Sequence, residues 1–130
     1  MTPHRVHIVQ ILAAAIAVVF GVATLFAGSR VLLGSDPGYE VFRPLLMYNT
    51  AMGVVYLAAG ITVWRNVNAG RYAAGAIFLL NLLVLVAILV VYRSGGGVAV
   101  DSLRAMSFRT VVWLFLFLAV SWLGRSRTVP

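Results

Sequence analysis

The chain has 130 residues, of which 62% are hydrophobic and 10% charged, and its formal net charge is +7. A water-soluble domain of that balance would expose far too much apolar surface, and the absence of cysteine removes disulfide frameworks, thiolate metal sites and cysteine nucleophiles. All ten basic residues are arginine, and in a membrane chain such a bias serves topology and anionic lipid rather than nucleic acid.

The first apolar run predicts a membrane helix over about 6–28. Its core, Ile8 to Phe26, is too long for a signal-peptide core, and "TLFAGSR" holds no convincing small-x-small cleavage site. Ala14, Ala17, Gly21, Thr24 and Gly28 recur at spacings of three and four. That is a stripe of small residues suited to close helix–helix approach in lipid. The loop "SRVLLGSDPGYEVFR" carries the turn signal Asp36-Pro37-Gly38. Pro44 then fits the first turn of a second helix, about 44–64. Asn49, Gly53, Tyr56 and Gly60 share one face of it, a polar and small stripe that should point into a bundle.

"RNVNAGR" (65–71) is a tight connection, so the second and third helices should be antiparallel neighbours. The third helix is expected over about 72–92, with Asn81 near its midpoint, and "RSGGGVAV" should break the chain before a fourth helix over about 105–123. The expectation is therefore an all-α integral membrane protein. It is a four-transmembrane-helix bundle, up-down-up-down, in a single transmembrane domain covering 1–130.

The two loop-to-helix junctions resemble each other. "EVFRPLLMYNT" and "DSLRAMSFRT" each place an acid three residues before an arginine (Glu40/Arg43 and Asp101/Arg104). Each then carries an aromatic-polar-threonine triplet, Tyr48-Asn49-Thr50 and Phe108-Arg109-Thr110. The pattern is that of two duplicated helical hairpins in parallel repeat. Simple helix starts also favour preceding acids.

Four spans put both termini on one side, with Arg5, Arg65, Arg71, Arg125 and Arg127 and no acid. The opposite side has Arg30, Arg43, Arg93, Arg104 and Arg109 together with all three acids, Asp36, Glu40 and Asp101. The arginine counts are tied, so orientation is weakly specified. If Arg43, Arg104 and Arg109 serve structure or function, the termini are cytoplasmic in a plasma (inner) membrane. Trp64, Tyr72 and Trp122 then form an aromatic belt at that face.

The candidate ligand-binding residues are Arg43, Tyr48, Asn49, Asn81, Arg104, Arg109 and Trp113, with Glu40 and Asp101 as ion-pair partners. Three guanidiniums beside two helix N-termini need an anion or the acids to balance them. Against this, Arg109 can snorkel to water, because helical side chains lean toward the N-terminus. Asn81 reads either as an interhelical hydrogen bond or as the polar floor of a pocket. His4 and His7 lack the further ligands that a haem or metal site needs, so no metal or cofactor is expected. No acid lies in the middle of a span, the usual requirement of proton- or cation-coupled transport. No nucleophile is marked, so no catalytic residue is assigned and the chain does not read as an enzyme.

The favoured function is the binding of an amphipathic or anionic ligand, of lipid or quinone type, in an arginine-lined pocket near one membrane face. Two alternatives remain. One is a small dimeric transporter or channel for an anionic solute, with the small-residue stripe as its homodimer interface. The other is a structural subunit whose exposed stripe binds a partner in a membrane complex.

Overall fold

The computed structural model describes residues 3–38 and 42–128, and side chains within 4–38 and 42–125. Four helices follow one another: α1 (Pro3–Leu32), α2 (Arg43–Arg65), α3 (Val67–Arg93) and α4 (Val100–Thr128). Each is long and apolar enough to cross a membrane. At ~1.5 Å rise per residue even α2 exceeds the ~30 Å hydrocarbon core. The chain is a multi-pass, all-α membrane bundle, and among the described residues there is no strand.

α1, α3 and α4 overrun the apolar runs by several residues at one end or both, while α2 exceeds its run by one residue at each end. α3 starts at Val67 rather than near 72 because Asn66 caps it: its Oδ1 accepts from Asn68 N (3.0 Å) and Ala69 N (3.2 Å). α4 starts at Val100, with Asp101 in its first turn, where a carboxylate complements the helix dipole. Polar first turns are stable where headgroups and water meet the helix, so hydropathy alone starts α3 and α4 too late. α1 ends in a Schellman motif at Gly34 (φ 111), with Gly34 N donating to Val31 O and Ser35 N to Arg30 O. α3 ends in the same way at Gly95 (φ 82), with Gly95 N donating to Tyr92 O and Gly96 N to Val91 O. Such caps end a large share of all helices, so their recurrence adds little to the case for duplicated hairpins.

The α2–α3 corner has a single non-helical residue, Asn66. A helix end leaves four carbonyls without partners. Here Asn66 N donates to Thr62 O. The buried Gln10 of α1 donates Nε2 to Val63 O (2.9 Å) and Trp64 O (2.8 Å). Asn66→Ala should therefore destabilise the bundle by about 1 kcal/mol. Chemical unfolding in detergent reads this directly, and an unchanged midpoint would show the cap to be idle.

α1 packs most extensively on α2 and α3 on α4, while α2–α3 and α1–α4 contacts close the ring. Lipid gives helices no hydrophobic drive to associate, so close contact must supply the attraction. The small-residue stripe does this within the chain. Ala14, Ala17, Gly21, Thr24 and Gly28 are all buried, and Gly21, Gly53 and Gly60 let the α1 and α2 backbones meet. The face expected to be open for a second copy or a partner is thus covered by α2. The outer surface carries large apolar side chains such as Val19, Phe26, Leu83 and Phe115, as a lipid-facing surface should. Trp64, Tyr72 and Trp122 are exposed near the end that carries the termini.

Candidate functional site: a polar centre shared by four helices

Polar side chains inside an apolar bundle are costly unless they are bonded. In this bundle a group of them from α2, α3 and α4 gathers at one level, with an aromatic ring of α1 against it. Asn81 of α3 is 0% exposed. Its Oδ1 accepts from Tyr48 Oη (2.9 Å) and from Tyr56 Oη (3.2 Å), both on α2. Tyr48 and Tyr56 stand eight residues apart, about two turns, and so share a face. Tyr56 stacks on Trp113 of α4, with ring centroids 5.0 Å apart and planes 29° apart. Phe20 of α1 meets Tyr56 edge-on at 5.4 Å.

Arg109 of α4 points into this group. Its Cζ lies 6.0 Å from the centre of the Phe20 ring, and its charge acts on the Tyr48 and Tyr56 hydroxyls. The α4 helix begins nine residues earlier, so Arg109 sits more than two turns along it. Its contact with Phe20 takes it across to α1, and Nη1 is sealed from solvent without a hydrogen-bond partner.

Among the described residues four further atoms share that condition: Asn81 Nδ2, Trp113 Nε1, Asn49 Oδ1 and, toward the other end of α4, Ser121 Oγ. In the amide orientation of the structure Oδ1 meets the two tyrosine hydroxyls and Nδ2 is left over. Each neutral orphan costs about 1–3 kcal/mol, and a charged one costs more. The centre therefore presents a surplus of donors (Arg109 Nη1, Asn81 Nδ2 and Trp113 Nε1) against one spare acceptor, Asn49 Oδ1.

The two triplets noted in the sequence are placed alike. Thr50 and Thr110 each donate to the carbonyl four residues back, Leu46 O and Met106 O, both at 2.8 Å. Asn49 and Arg109, the middle members, each carry a sealed atom without a partner. The aromatic members differ, since Tyr48 is part of the centre whereas Phe108 is exposed and tilted against Phe20 at 6.1 Å.

Of the candidate ligand-binding residues, Tyr48, Asn49, Asn81, Arg109 and Trp113 lie in or beside this centre. Arg43 and Arg104 are exposed. Each lies five residues, about 7–8 Å of helix, nearer the membrane face than Tyr48 and Arg109 respectively. Asp101 is exposed beside Arg104 in the first turns of α4. Glu40 lies outside the described residues. His4 and His7 are exposed, and among the described residues no group of three metal-ligating side chains exists.

Two members had not been assigned to the site. Tyr56 had a signal, because it shares the polar face of α2 with Asn49. Phe20 had none, since a phenylalanine on a membrane helix suits lipid and interior equally. The chain matches no protein-family model, and neither curated proteins nor solved structures show a match to it.

Proposed function

We propose that this small multi-pass membrane protein binds an amphipathic ligand whose polar or anionic head enters the Arg109 centre and whose tail lies along the helices. The observation that carries the reading is the set of three sealed donors without hydrogen-bond partners, one of them cationic, against a single spare acceptor, Asn49 Oδ1. A head that offers acceptor oxygens complements that set: a carboxylate, a phosphate ester or the carbonyls of a quinone. Charge-assisted bonds from Arg109 would supply most of the affinity, and the Tyr56, Trp113 and Phe20 rings would flank a flat head. Arg43 and Arg104 lie closer to the membrane face and would draw an anionic head toward the entrance. On this reading the protein resides in an inner membrane with cytoplasmic termini.

Organic extraction of the purified protein followed by mass spectrometry tests the proposal. Wild-type protein should release a near-stoichiometric lipid or quinone. Arg109→Ala should lower its occupancy at least tenfold. The emptied variant should be no less stable than emptied wild type, because it no longer holds a half-buried guanidinium with a sealed, unpartnered nitrogen. Equal occupancy in the two proteins overturns the reading.

A further inference from the structure

A second place on the molecule joins apolar surface to paired guanidiniums, and it is separate from the Arg109 centre. A groove of about 670 Å³ runs between α3 and α4, from Arg71 and Arg125 down to Phe78, Leu79 and Phe117. The two helices run in opposite directions, so Arg71 near the start of α3 and Arg125 near the end of α4 meet at the end that carries the termini. Eight residues separate Arg71 from Leu79, about 12 Å of helix. The volume lies within the ~300–1,000 Å³ typical of small-molecule and cofactor sites. Gly75 shapes the floor, since a methyl group there would stand 2.9 Å from Phe117 Cε1.

The polar features all lie toward the arginine end. Arg71 lies over the Tyr72 ring, its Cζ 5.0 Å from the centroid, and donates Nη2 to Tyr72 Oη (3.3 Å). That fixes its guanidinium at the mouth. Among the described residues no acidic side chain belongs to this face, since Asp36 and Asp101 lie at the other end of the bundle. Ser121, one turn below Arg125, lines the groove with a sealed hydroxyl that has no partner. Other hydroxyls in these helices bond to the carbonyl four residues back: Thr50, Thr62, Ser94 and Thr110. Ser121 makes no such bond, and its hydroxyl is closed to solvent.

We propose that this groove is a binding site for an anionic phospholipid of the leaflet facing the termini. Its phosphate lies between Arg71 and Arg125, and one acyl chain runs past Gly75 along Phe78, Leu79 and Phe117. Charge complementarity selects the lipid: the guanidiniums of Arg71 and Arg125, both lining the groove, attract a net negative headgroup and gain less from a zwitterionic one.

The full chain, stripped of lipid in detergent and titrated with phosphatidylglycerol or phosphatidylcholine under native mass spectrometry, provides the test. Phosphatidylglycerol should be retained at least tenfold more tightly. The preference should vanish in the double variant Arg71→Gln with Arg125→Gln. The double variant Arg5→Gln with Arg65→Gln removes equal charge from the same face and should keep it. Arg109→Ala should also keep it, which separates this site from the interior one. Equal retention of the two lipids by the wild type overturns the proposal. So does a loss of preference in the Arg5/Arg65 pair equal to that in the Arg71/Arg125 pair, which would reduce the effect to general surface charge.

Discussion

Gly21→Val is expected to cause the largest loss of stability of any single change in α1. A β-carbon at Gly21 would stand 2.7 Å from Leu57 N and 2.8 Å from Gly53 O. Carbon contacts settle near 3.5–4.0 Å, and the opposing atoms are backbone, so no rotamer change relieves the clash. The two helices must move apart by about 1 Å. Such a shift also loosens the neighbouring contact, where Gly60 meets Ala14 O and Val18. Overpacking of this kind costs about 1–3 kcal/mol at a well-packed site, and valine, with two further methyls, should reach or exceed the top of that range. Gly21→Ala should lose roughly half as much. Gly124→Ala is the matched control: no atom lies within 4 Å of its added carbon, and its φ is not positive. Alanine there should be neutral or stabilising by up to ~1 kcal/mol. Unfolding in graded denaturing detergent, followed by circular dichroism, reads all three. A Gly21→Val midpoint equal to wild type would show that α1 and α2 are not held by close backbone contact.

The four spans were legible because a bilayer leaves the chain few options. Backbone groups in hydrocarbon must bond within a helix, so each span has to appear as a long apolar run. The stripe Ala14, Ala17, Gly21, Thr24, Gly28 was equally visible as a close-approach face. Its partner was not, since small residues look the same whether they meet α2 or a second copy of α1. The interior polar residues announced themselves, as Asn81 and Arg109 stand out in apolar surroundings. Arg43 and Arg104 were drawn into the same group by their place at helix starts. The structure leaves them exposed at the membrane face, because linear position gives depth but not the direction a side chain takes. Phe20 shows the reverse failure. Its role depends on neighbours from α2 and α4, and nothing in its own helix distinguishes it from the lipid-facing Phe26.

Asn81→Leu should be the most damaging change in the polar centre. Leucine has the branching and the heavy-atom number of asparagine, so the space stays filled, but Tyr48 Oη and Tyr56 Oη lose their shared acceptor. Tyr56 is 0% exposed, and its hydroxyl cannot turn to solvent. Interhelical bonds in membranes are worth ~0.6–2 kcal/mol each, while a stranded buried donor costs about 1–3 kcal/mol. The unpartnered Asn81 Nδ2 disappears with the substitution and offsets part of that, which leaves a net loss of about 2 kcal/mol. Removing both sides of a buried hydrogen bond is far cheaper than removing one. Adding Tyr48→Phe and Tyr56→Phe to Asn81→Leu should therefore recover most of the loss. A triple variant as unstable as the single one would mean that the tyrosine hydroxyls never depended on Asn81. Ligand content then separates stability from binding. The triple variant keeps Arg109 and Trp113 but lacks the amide and both hydroxyls, so it should fold well and hold its ligand poorly. A stable triple variant with full occupancy would confine recognition to Arg109 and its aromatic neighbours and leave Asn81 a purely structural tie between α2 and α3.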